Sequence, residues 1–172
     1  IGNNALYSVG GVFSSGTGMT ITGTSHANNS TIALITGVTL TNGNSGGISI
    51  TGTGVAGYAA INLGSSGTST MTNGGGNVVL NAVTGNVIFD GTGNTITNNG
   101  AGAGTVLITA GNGSATNSGA VNGALLTINQ NSSGDVLVRT SGTGNLTAPK
   151  IANAGSGHVV VAAGSNIAAG TG

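Results

Sequence analysis

A chain of 172 residues with two basic side chains, two acidic ones and a net charge of zero has no basic patch with which to neutralise phosphates, which excludes nucleic-acid binding of that kind. It has no cysteine, so disulfide frameworks and thiolate metal sites are excluded as well. Glycine takes 36 positions and Asn, Ser and Thr fill much of the rest, which disfavours helix, while 37% apolar residues at regular spacing argue against disorder.

Short alternating apolar runs between Gly/Asn/Ser turns read as strands. In chain order they begin with Met19/Ile21, Ile32/Leu34 and Val38/Leu40. Next come Ile48/Ile50, Ile61/Leu63 and Met71, then Val78/Leu80, Val87/Phe89 and Ile96. Val106/Ile108, Val121 and Leu126/Ile128 follow, then Val136/Val138, Leu146 and Ile151, and finally Val159/Val161 and Ile167. The second residue of each opening pair recurs at 21, 50, 80, 108, 138 and 161, in steps of 29, 30, 28, 30 and 23. Three short strands per repeat of this length predict an all-β fold, a parallel β-helix of about six coils, with residues 1–172 as a single solenoid domain. One coil cannot bury its inner face alone and does so by stacking on the next. Six coils at the ~4.8 Å strand spacing give a rod on the order of 29 Å long.

Rival architectures fit poorly. The longest apolar runs, such as 159–163, are far short of the ~18 residues of a spanning helix. The strands are too short for a membrane barrel, and Tyr7, Phe13, Tyr58 and Phe89 cannot supply two aromatic girdles. The expectation is a chain that does not span a membrane. It opens at Ile1 without an initiator Met, a charged n-region or an apolar h-region, so the expectation is either a processed leader or a segment of a longer fibre.

Gly104-Thr-Val-Leu-Ile-Thr-Ala-Gly-Asn112, Gly76-Asn-Val-Val-Leu-Asn-Ala82, Gly85-Asn-Val-Ile-Phe-Asp-Gly91 and Asn94-Thr-Ile-Thr-Asn98 resemble the repeats of filamentous-haemagglutinin-type exoproteins and autotransporter passengers. The resemblance covers most of the chain and is one of repeat texture. It implies a right-handed β-helix, export across a Gram-negative envelope to the cell surface, and a role in adhesion or matrix building. It carries no catalytic motif. This chain departs from the family in its lower charge and in lacking the family's secretion domain.

Catalysis needs positioned acids, bases or nucleophiles. Asp90 follows the second strand of the third repeat and Asp135 opens the first strand of the fifth, so they should lie on different faces, two coils apart. Asp135 and Arg139 flank one strand and could pair locally. His26 and His158 stand alone, without acidic residues or cysteine at ligand spacing. No enzyme, metal or cofactor is expected.

Two surface features and the ends stand out. The outward residue in the middle of the opening strand runs Thr20, Ser49, Val79, Leu107, Leu137, Val160. From Val79 onward it is an apolar stripe, suited to lateral contact with another rod. The third strand places Thr on both sides of an inward apolar residue: Thr39/Thr41, Thr70/Thr72, Thr95/Thr97, then Thr127/Asn129. These flat columns resemble ice-binding β-helices and could also meet surface glycans. Neither end is expected to offer charge or Pro to blunt its open strands, so the ladder is expected to continue, either into more of the same polypeptide or by self-association with another copy end to end. The function expected is that of a structural component of an extracellular bacterial fibre or filamentous adhesin.

Overall fold

The computed structural model describes residues 6–8, 10–25, 31–34, 37–65, 67–100, 102–111 and 119–170. These residues contain no helix, hence none long and apolar enough to cross a membrane. They wind through three flat faces in a fixed order.

The first face stacks β1 (Leu6–Ser8), β4 (Ile32–Leu34), β7 (Ala59–Leu63), β10 (Asn86–Phe89), β13 (Val121–Asn122), β16 (Leu146–Thr147) and β19 (Ile167–Ala168). The second stacks β2 (Gly11–Ser15), β5 (Val38–Asn42), β8 (Thr70–Asn73), β11 (Asn94–Asn98), β14 (Leu126–Gln130) and β17 (Lys150–Asn153). The third stacks β3 (Met19–Thr24), β6 (Ile48–Thr53), β9 (Val78–Thr84), β12 (Val106–Ala110), β15 (Val136–Thr140) and β18 (Val159–Ala162). Each strand pairs in parallel with the strand one coil away. This is the three-strand-per-coil parallel β-helix that the recurrence of apolar pairs predicts.

Alternation decides which side chains go in. Along β5 the pattern is buried, half-buried, buried, half-buried, buried, and β6, β11 and β14 follow it. Identical inward positions then stack. Ile50, Leu80, Ile108 and Val138 form one column on the third face, and Leu40, Met71, Ile96 and Ile128 another on the second. All eight are at most 2% exposed. A fully buried aliphatic side chain contributes roughly 1.5–3 kcal/mol, so these columns are the main cohesive term.

The strands β1 and β2 precede the first apolar pair of the repeat and were not expected. Leu6 and Phe13 are their only large inward residues, too few to show a period. Parallel pairing with β4 and β5 defines them instead.

The corner between the second and third faces has a column of its own. A Cβ on Gly104 would collide with the carbonyl oxygen of Gly76, one on Gly134 with that of Gly104, and one on Gly157 with that of Gly134. Backbone stacks directly on backbone here, so only glycine fits.

At either edge of the described strands the inward columns are partly exposed. Phe13 is 40% exposed although it shares its column with buried Leu40; Val159 is 45% and Ile167 54% exposed although they stack on buried Val136 and Leu146. One expectation about the ends needs correction. Exposed Lys150 opens β17, an edge strand of the described residues, and Pro149 stands just before it, so the second face does carry Pro and charge at that edge.

Candidate functional site

The second face carries the polar columns. Thr39, Thr70, Thr95 and Thr127 stack in strict register, as do Thr41, Thr72, Thr97 and Asn129. All eight are half-buried, and Asn129 Nδ2 donates to Thr97 Oγ1 at 3.4 Å. The columns reach Val12 and Ser14 at one end and Lys150 and Ala152 at the other. The structure therefore brings these sequence-predicted residues together as one flat, two-column surface.

Inside the corner beside these columns lies a ladder of amides that the sequence reading did not assign. Asn42, Asn73, Asn98, Gln130 and Asn153 occupy one inward position on successive coils. Asn42 Nδ2 donates to Asn73 Oδ1 at 2.7 Å, and Asn73 Nδ2 to Asn98 Oδ1 at 2.9 Å. The same amides bind their own corner: Asn42 Nδ2 reaches Asn44 O, and Asn98 Nδ2 reaches Gly104 O at 2.8 Å. Gln130 interrupts the run. Its Nε2 donates to Gly104 O and Gly134 O, both at 2.8 Å, leaving its own Oε1 and Asn153 Oδ1 without partners. Asn42 Oδ1 is likewise unpaired at the other end, where the register position is Ser15. A period-two signal was present in the sequence: Asn or Gln stands two residues after each of Leu40, Met71, Ile96, Ile128 and Ile151.

The third face carries the apolar stripe. Ser49, Val79, Leu107, Leu137 and Val160 stack in register. Val79, Leu107 and Leu137 are half-buried and Val160 is 46% exposed, so each offers one flank to solvent. Beside them runs a second outward column of Thr51, Asn81, Thr109, Arg139 and Ala162.

The charged residues are dispersed. Asp90 follows β10 at one corner, where Asn62 Nδ2 donates to its Oδ2 at 3.3 Å. Asp135 precedes β15 at another. Two expectations are corrected there. Asp135 pairs with His158 rather than with Arg139, and His158 is therefore not alone. His158 donates its backbone N–H to Asp135 Oδ1 at 2.7 Å, and its Nδ1 lies 3.3 Å from the same oxygen. That backbone hydrogen bond, with a smaller contribution from the ring, holds the carboxyl below its ordinary range. Arg139 Nε instead meets Thr109 Oγ1 on the neighbouring coil at 3.4 Å. His26 lies outside the described residues. Among the described residues no three His, Cys, Asp or Glu gather where they could hold a metal ion.

A shallow open groove of about 600 Å³ runs along the glycine corner past Gly16, Asn44, Ser45, Gly75 and Gly102. Its walls are mostly bare backbone. No protein-family model, no curated protein and no solved structure matches this chain.

Proposed function

We propose that this chain is a structural rod: a β-helical element of an extracellular bacterial fibre or filamentous adhesin, working by stacking end to end and side to side. The observation that carries the reading is the unbroken stacking of the coils, in which the same inward and outward positions repeat in register from one coil to the next. The half-exposed Val79–Val160 stripe supplies a lateral surface, and a net charge of zero removes the repulsion that keeps rods apart. The resemblance of its repeats to those of exported adhesins supports the cell surface as its location.

The work is mechanical. A continuous backbone ladder along three faces resists extension, and no moving part is required. Negative-stain microscopy and sedimentation over a concentration series test the reading. Elongating and bundling rods are the expected result; monodisperse monomers at every concentration would defeat it.

A second reading is favoured by one specific observation, the in-register Thr columns of the second face. On that reading the rod presents the columns to glycans or to ice. Glycan-array binding or inhibition of ice recrystallisation by non-associating rods would favour it, and silence in both assays would remove it.

A further inference from the structure

Asparagine followed by glycine is the dipeptide whose side-chain amide is most open to attack by its own backbone, because glycine has no Cβ to shield the nitrogen. The sequence holds five such pairs: Asn42–Gly43, Asn73–Gly74, Asn99–Gly100, Asn112–Gly113 and Asn122–Gly123. Asn112 lies outside the described residues. The fold treats the other four differently, and the difference selects one of them.

The reaction needs the glycine nitrogen free to approach the asparagine Cγ. At three pairs that nitrogen is committed to a neighbouring coil. Gly43 donates to Ser15 O at 2.9 Å, Gly74 to Asn42 O at 2.7 Å and Gly123 to Thr147 O at 2.9 Å. Asn42 and Asn73 are tied through their side chains as well. Each Nδ2 donates along the buried amide ladder, at 2.7 and 2.9 Å, and neither residue is more than 1% exposed. Attack at these sites requires opening a strand pair first.

Asn99–Gly100 follows β11 in the corner between the second and third faces. The Asn99 side chain is exposed, and among the described residues no backbone hydrogen bond holds the Gly100 N–H. A Cβ on residue 100 would meet Gly75 Cα at 2.7 Å, so stacking admits only glycine here. The Asn99 N–H donates to Asn73 O at 2.7 Å, which anchors the residue. From the next coil, Asn131 Nδ2 donates to Asn99 Oδ1 at 2.8 Å. That donor points at the oxygen on which negative charge gathers when the amide carbon is attacked. Asn131 is fixed in turn by its own N–H, which donates to Asn98 O at 2.9 Å.

We propose that Asn99 is a self-modification site, which deamidates through Gly100 with Asn131 as a positioning residue on the neighbouring coil. The Gly100 N–H gives its proton to water, and the nitrogen bonds to Asn99 Cγ. The Cγ–Nδ2 bond breaks, and Nδ2 takes a proton from water and leaves as ammonia. The five-membered imide so formed adds one water at either carbonyl and opens to aspartate or isoaspartate. One water is consumed, one ammonia is released, and nothing is oxidised or reduced. The net charge of the chain passes from zero to minus one. In a rod with so few charges this adds like-sign repulsion between neighbouring copies. The site itself does not depend on the fibre reading.

The test is to hold the folded 172-residue chain at mildly alkaline pH, where more of the glycine nitrogen is deprotonated. Peptide mass spectrometry with isoaspartyl methyltransferase labelling then reads each site. The mass gain of an amide-to-acid conversion should appear at Asn99 while Asn42, Asn73 and Asn122 stay intact. In the urea-unfolded chain all four should react. Asn131→Ala should slow Asn99 by about two- to tenfold, the rate equivalent of one neutral hydrogen bond, and only in the folded chain. If Asn131 merely held the corner together, its loss would loosen the turn and speed the reaction instead. An Asn99 that stays intact in the folded chain, or reacts no faster than Asn42 and Asn73, would overturn the proposal. An unchanged or faster reaction in Asn131→Ala would overturn the part given to Asn131.

Discussion

A primary amide buried away from water is costly unless both its ends are bonded, and Asn73 meets that demand with a neighbour on either side. Its oxygen accepts from Asn42 and its nitrogen donates to Asn98 and to Gly76 O, with no solvent exposure at all. Asn73→Ala breaks both inter-coil bonds and leaves Asn98 Oδ1 buried without a donor. The expected loss is about 2–4 kcal/mol in urea unfolding, at one to three for each such group. The ladder also stops one residue short. Asn42 Oδ1 is buried and unpaired, and Ser15 occupies the position that would serve it. Ser15→Asn should extend the ladder and raise stability by about 1 kcal/mol, seen as a higher urea midpoint at unchanged slope. At the far end, Asp135 is held below the ordinary carboxylate range chiefly by the His158 backbone N–H. A lowered folded-state pKa means the stabilisation is present above about pH 4 and is lost as pH falls through the lower folded value. Carbon-13 titration of the Asp135 carboxyl should therefore give a midpoint below that of Asp135 in the urea-unfolded chain. Equal midpoints would show that the His158 contact does not persist in solution.

At the scale of the strand, position along the rod decides what a side chain contributes. Ile108 on β12 is covered by coils on both sides, whereas Ile167 on β19 is 54% exposed. Ile108→Ala should cost about 2–5 kcal/mol of folding stability, the usual range for a buried aliphatic truncation. Ile167→Ala should change unfolding far less, because Ile167 packs on Leu146 from one side only. The same logic explains how much could be read beforehand. Inward pairs such as Ile50, Leu80 and Ile108 announce the repeat because an apolar residue at a fixed step has few other causes. β1 and β2 were missed because one large inward residue each is no period. The amide ladder was missed because Asn beside glycine reads first as a turn former. Its recurrence two residues after each inward apolar side chain is what separates it from an ordinary turn. The Asp135–His158 contact lay in the spacing itself: the step from Val138 to Val161 is 23 residues, and so is the step from Asp135 to His158. A repeat length taken locally stacks those two, whereas the average of about thirty does not.

At the scale of the whole rod, end growth and lateral growth draw on different surfaces and should separate under mutation. The stripe of Val79, Leu107 and Leu137 sits on the third face, clear of both end faces, and lies in register on adjacent coils. Replacing all three with Ser removes a continuous apolar strip while leaving the inward columns of Ile108 and Val138 in place. The expected outcome is single filaments without side-by-side bundles in negative stain, with the unfolding midpoint reduced much less than by Ile108→Ala. Because the strip is apolar and the chain carries only four charged side chains, bundling of the unsubstituted rod should persist at about 1 M salt, where the screening length falls to about 3 Å. Bundles that survive the triple substitution, or that dissolve as salt is raised, would place the lateral contact elsewhere. The natural alternative is then the outward column containing Arg139, the charged position on the same face. Loss of the bundles together with the filaments would instead mean that lateral and axial contacts are one interface. In that case a chain whose columns point along a single axis would be stabilising its ends through its sides.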